Sequence, residues 1–138
     1  MVAQLAEGWS MDLGDGDYQF DTENNGQTEV FWCGGRTVRV TAMRVVDTDG
    51  GPVGQRHLLA TLATGKEEGA ERVDLEKDYL RGWAEIGLEE EDGSLFWRLH
   101  GCCAMDGRVC IVGISFDDPD DRQWAISTWQ TLYRPLDS

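Results

Sequence analysis

The chain is poor in positive charge. Its 138 residues hold 12 Lys and Arg against 26 Asp and Glu, a formal net charge of −14 with both histidines neutral. Without a basic stripe to neutralise phosphates, nucleic acid is excluded as a partner class. An anionic membrane surface is disfavoured for the same reason. Long apolar runs are also missing, and nothing approaches the roughly 20 residues that cross a bilayer. The opening stretch, Met1 to Gly14, has neither the basic region nor the apolar core of a signal peptide. The expected compartment is therefore the cytoplasm.

Motifs that carry chemistry are equally scarce. Cys33, Cys102, Cys103 and Cys110 form no CxxC, and His57 and His100 lie far from zinc-ligand spacing. The cysteines read as buried free thiols and His57 as a surface or boundary residue. There is no G-x-S-x-G, no Walker loop, and no G-x-G-x-x-G between a strand and a helix. The acidic groups Asp12, Asp15, Asp17 and Asp21, the pair Asp47 and Asp49, and the cluster Asp117 to Asp121 never complete an EF-hand pattern. They read as solvated turns and a helix cap, and no cofactor or metal is implied.

What is present fits a folded domain. Apolar content is 41% with six tryptophans, enough for a core without a metal or disulfide staple. We read residues 1–138 as one acidic α+β domain. Trp9, Met11 and Leu13 alternate as in a short strand, and Tyr18 and Phe20 begin a second. Asp21 to Gln27 reads as a polar turn. Glu29 to Cys33, Gly34-Gly35 and Arg36 to Val46 form a hairpin that pairs Phe31 with Val38. Asp47 to Pro52 is a loop. Gly54 to Thr64 reads as a helix that Gly65 ends. Lys66 to Lys77 is compatible with a short helix or an irregular link.

Three strands follow, Tyr79 to Glu91, Ser94 to Met105 and Arg108 to Phe116, joined by Asp92-Gly93 and Asp106-Gly107. Two-residue turns of this kind set a register. One face of the meander is then apolar: Ile86, Leu88, Leu95, Trp97, Leu99, Val112, Ile114 and Phe116. The expected cover is a last helix with Asp118 as cap, Pro119 in its first position and Asp121 as a capping-box acid. Its inward stripe is Trp124, Ala125, Thr128, Trp129 and Leu132, and Pro135 prevents continuation. The fold class is α+β: a largely antiparallel sheet of N-terminal hairpins and a C-terminal meander, packed by two main helices.

The same register gathers polar groups on the opposite face. Glu85 falls opposite His100, His100 opposite Gly113, and Arg98 between Gly87 and Ser115. The glycines predict a shallow depression holding Glu85, Arg98, His100 and Ser115, with Trp83 nearby as an interface anchor. Glu85 there favours the imidazolium form of His100. A Ser, a His and a Glu on one surface admit a hydrolase reading, although Ser115 sits mid-strand and not on an elbow. A cross-strand ion pair is the structural alternative. Cys103 and Cys110 also face each other and are expected as two thiols.

An early strand Trp, successive hairpins, a helix, three long strands and the closing segment FDDPDDRQWAISTWQTL are together similar to small bacterial α+β proteins of the PsbP/Mog1-like kind. The resemblance covers nearly the whole chain as a layout. Some toxin-neutralising immunity proteins share that architecture, so it implies a binding role, while transferring no functional residue. The leading expectation is a noncatalytic binding or regulatory protein whose acidic, Trp-bearing surface engages a basic protein partner. The alternatives are a small-molecule binder or hydrolase-like enzyme on the Glu85/Arg98/His100/Ser115 face, and a homodimeric domain.

Overall fold

A computed structural model describes residues 1–62 and 71–136. Among these residues nine strands and two α-helices follow in chain order: β1 Val2–Gln4, β2 Ser10–Asp12, β3 Gln19–Glu23, β4 Thr28–Cys33, β5 Arg36–Arg44, α1 Gln55–Leu62, β6 Glu71–Lys77, β7 Leu80–Glu91, β8 Ser94–Met105, β9 Arg108–Phe116 and α2 Arg122–Gln130. Seven strands form one antiparallel sheet in the order β3-β4-β5-β9-β8-β7-β6, and β1 with β2 makes a separate two-stranded ribbon. The architecture is thus mostly antiparallel sheet with two helices.

The turns place the strands. Asp92-Gly93 and Asp106-Gly107 hold β7, β8 and β9 in the expected register, with Ile86 opposite Leu99, Leu99 opposite Ile114 and Trp97 opposite Phe116. Phe31 likewise pairs with Val38 across the Gly34-Gly35 turn. The β9 strand then lies between β8 and β5, with Val38 opposite Ile114, and so occupies the centre of the sheet.

The inner face is sealed. Val38, Val40, Leu99, Val112, Ile114 and Phe116 meet Trp9, Met11 and Leu13 from the β2 region and Ala125, Trp129 and Leu132 from α2 and its exit. Each of the Val, Leu, Ile, Phe and Met side chains contributes about 1.5–3 kcal/mol by leaving water. The two tryptophans of α2 add polar ties. Trp124 Nε1 donates to the Leu13 carbonyl at 2.8 Å, and Trp129 Nε1 donates to that of Val73 at 3.3 Å. The cover is therefore shared between α2 and the β1-β2 ribbon. On the outer face α1 covers one end, where Leu58 packs on Ala104 and Val109. Gln55 Nε2 fixes it there by donating to the carbonyls of Tyr79 and Ala104, both at 2.6 Å.

Several expectations need correction. The β3 strand runs through Asp21 to Glu23, because pairing with β4 outweighs the weak strand propensity of those polar residues. The β1 strand was not expected, and β5 stops at Arg44 rather than Val46. Residues 71–77 are a strand, neither helix nor link, with Leu75 turned into the core; the expected helix end at Gly65 lies outside the described residues. Asp118 caps a 3-10 turn at Pro119–Asp121, accepting from the Asp120 N–H. Asp121 makes no cap and pairs instead with Arg36. The apolar wall is also shorter than the register implied. The β7-β8 hairpin outreaches its cover, leaving Leu88 and Leu95 52% and 62% exposed.

Candidate functional site

Antiparallel pairing aligns residues of the outer face into rows across the sheet. The central row runs Asp21, Val30, Arg39, Gly113, His100, Glu85, Arg72 from one edge to the other. A flanking row runs Trp32, Thr37, Ser115, Arg98, Gly87, and the opposite one Glu23, Thr28, Thr41, Ile111, Cys102, Trp83, Asp74. The α1 helix covers one end of this face.

A hollow of about 440 Å³ opens where Gly113 interrupts the side chains of the central strand. Arg39, Arg98, His100, Thr28 and Thr41 are on its walls, with Glu23 and Glu89. Arg39 Nε donates to Glu23 at 2.9 Å, and Arg98 Nη1 donates to Glu89 at 3.3 Å. Thr28 and Thr41 share a hydroxyl hydrogen bond of 2.8 Å, and Asn24 Nδ2 donates to Thr28 at 3.1 Å. A smaller hollow of about 190 Å³ adjoins it, lined by Trp83, His100, Cys102, Ile111 and Leu62. His100 is common to both.

The expected site residues separate into groups. Arg98 and His100 line the larger hollow, and Trp83 and His100 the smaller. Trp83 is half-buried, with the Arg72 guanidinium 5.9 Å from its ring centre. Glu85 pairs with His100 in register, yet it is 7% exposed and lines neither hollow. Ser115 is half-buried beside Arg98 and also outside both. No hydrogen bond or ion pair joins Glu85 to His100 or His100 to Ser115 among the described residues. The ion pairs of this face are Arg98–Glu89 and Arg39–Glu23, and Arg72, opposite Glu85, turns to Asp74 at 2.8 Å. The depression is thus centred on Gly113 rather than on the Glu85–His100 pair.

Arg39, Thr28, Thr41 and Glu23 were missing from the sequence reading. Their contribution depends on β5 pairing with β9, a contact between distant segments that no turn announces. The available signal was the alternation Val38-Arg39-Val40-Thr41, which turns two polar side chains away from the core.

The thiols are of another kind. All four cysteines are free, and Cys103 lies opposite Cys110 inside the core. Burial pushes the thiols of Cys102 and Cys103 up to about 11 and about 12 and that of Cys110 well above its ordinary value. Such groups are poor nucleophiles. No group of three or more His, Cys, Asp or Glu is arranged to hold a metal ion among the described residues, and no helix there is long and apolar enough to cross a membrane.

No family model and no curated protein matches the chain. A solved structure from Bacteroides thetaiotaomicron VPI-5482 is similar in fold, with a TM-score of 0.64 at 11% identity. The match covers 94% of this chain and 46% of that one, so the chain spans about half the length of its neighbour. At that identity the likeness concerns the fold alone.

Proposed function

We propose that the chain is a noncatalytic binding protein that engages a basic protein partner. The observation carrying this reading is the tip of the β7-β8 hairpin. Four consecutive acids, Glu89 to Asp92, end β7 and enter the turn, and the exposed Leu88 and Leu95 lie directly beside them. Trp97, half-buried and stacked on Phe116 at 6.4 Å, continues the apolar patch inward. Exposed leucines next to an aromatic anchor provide area to desolvate. The surrounding carboxylates, on a chain of net charge −14, speed the approach of a basic partner and reject an acidic one. Masking a basic enzyme or toxin, in the manner of an immunity protein, is a role this surface would serve. The reading takes the chain to act in the cytoplasm, where its free thiols stay reduced.

The test is titration with a synthetic amphipathic helix carrying Lys on one face and Leu on the other, followed by Trp fluorescence. Binding is expected to weaken about tenfold or more as salt shortens the Debye length, and to fall in both E90K/E91K and L88S/L95S. Unchanged affinity in either variant overturns the proposal. So does concentration-dependent self-association, measured by sedimentation, that the L88S/L95S change abolishes, because the patch would then be a homodimer contact.

A further inference from the structure

The centre of the outer face adjoins the hairpin tip through Glu89, which pairs with Arg98. The glycines within strands differ in their surroundings. A Cβ on Gly82 would stand 2.4 Å from the Cys102 carbonyl oxygen, and one on Gly101 2.2 Å from that of Trp83. Those two are glycine because another backbone occupies the space. Gly113 has no such reason. A Cβ there would meet nothing nearer than Arg98 Nη2, at 3.9 Å. Glycine in a strand interior weakens the strand, and it marks close approach by a backbone or a ligand. Here no backbone of the described chain approaches.

Two arginines face the gap, each paired with a glutamate that also lines it. Arg98 Nη2 overhangs Gly113, Arg39 and His100 flank it on the neighbouring strands, and the Thr28–Thr41 hydroxyl pair closes one side. Each guanidinium is held by one carboxylate, Arg39 through Nε and Arg98 through Nη1. A guanidinium carries five donors, so both keep N–H groups for a further acceptor while Glu23 and Glu89 fix their orientation. Planar forks placed on two sides of a gap match the oxygens of a carboxylate or a phosphate.

We infer that the Gly113 hollow binds an oxyanion, the carboxylate or phosphate group of a small ligand or of a partner's side chain, between Arg39 and Arg98. The hollow's volume, about 440 Å³, accommodates a group of this size with part of the molecule that bears it.

The experiment is NMR titration of the whole chain with inorganic phosphate and, separately, with succinate, following the Gly113 amide and the Arg39 and Arg98 Nε–H signals. Saturable shifts of these three signals in the millimolar range are expected with at least one probe. The stronger arm identifies the anion class. R39Q and R98Q should each weaken binding about tenfold, the scale of one charge-assisted hydrogen bond. G113V should abolish it while leaving the urea midpoint equal to or above that of the parent, because a Cβ there meets only the flexible end of Arg98, at 3.9 Å. Absence of saturable shifts with both probes, or parental affinity in G113V, overturns the inference. E90K/E91K should leave anion binding intact, so failure here and failure at the hairpin tip are separately readable.

Discussion

Arg36 reaches across 85 positions of chain to set its Nη2 2.7 Å from the Asp121 carboxylate, with its guanidinium 4.5 Å over the Trp124 ring. The pair joins the start of β5 to the entrance of α2. Its partners are only 29% and 20% exposed, so it is less screened than a surface bridge, and the Asp121 hydrogen bond holds the guanidinium firmly protonated. Replacing Asp121 by Asn should cost about 1–3 kcal/mol. Arg36→Met should cost more, because stacking on Trp124 is lost as well. A double-mutant cycle by urea unfolding checks this, with a coupling free energy near zero as the opposing result.

The glycines of β7, β8 and β9 should respond in opposite directions. Gly101→Ala places a methyl where the Trp83 carbonyl and the Ala84 side chain stand, within 2.7 Å of both. The strands must part, at a cost of about 1–3 kcal/mol or more. Gly113→Ala meets only Arg98 Nη2, at the ordinary contact distance of 3.9 Å, and should be neutral or stabilising by up to about 1 kcal/mol. Urea midpoints measured side by side give the comparison, and equal losses in the two variants would contradict it.

The apolar face of the meander should divide into halves. Leu99 is fully buried in the main core, so Leu99→Ala should cost about 2–5 kcal/mol. Leu88→Ala and Leu95→Ala remove exposed atoms and should stay within about 0.5 kcal/mol. Thermal melts of the three variants read out this division directly.

Alkaline pH should destabilise the fold through its thiols. The ordinary value is 9.0, and the folded values of Cys102 and Cys103 are raised to about 11 and about 12. A raised folded value means stability present below the unfolded value and lost as pH rises through the folded one. The window is therefore pH 9 to 12, with a slope of up to about 1.4 kcal/mol per unit for each thiol. Burial lowers the Lys77 ammonium and so acts in the opposite sense. For that reason the comparison with C102A/C103A, whose curve should be flatter, isolates the thiols. At neutral pH a thiol reagent should label Cys33 first, since it alone of the four is not fully covered.

Where local chemistry decides position, the sequence was a reliable guide. Asp92-Gly93 and Asp106-Gly107 fix β7, β8 and β9 to the residue, and the Arg98 and His100 neighbourhood followed from them. Long-range pairing was illegible. Glu71 to Lys77 carries only Val73 and Leu75 as apolar signal, and it becomes a strand by adding to the edge of β7. Arg39 joined the hollow only because β5 docks on β9. Periodicity marked Leu88 and Leu95 as core, yet an alternating pattern gives the side of a strand and not the length of its cover. Asp121 fitted a capping role by spacing, but Arg36 was the stronger partner for its charge.

The central position of β9 carries a consequence for synthesis. β5, complete at Arg44, has its outward edge satisfied by β4, but its other edge waits for Arg108 to Phe116. Chains grow at about 5–20 residues per second, so the β3-β4-β5 unit spends seconds on the ribosome with an unpaired row of backbone donors and acceptors. An open edge of that kind recruits any available strand, including the same edge of a neighbouring nascent chain. The native sheet closes this seam at its very middle. The hazard of misassembly for this protein therefore belongs to the order in which its strands are made, and the last long strand to emerge is the one that removes it.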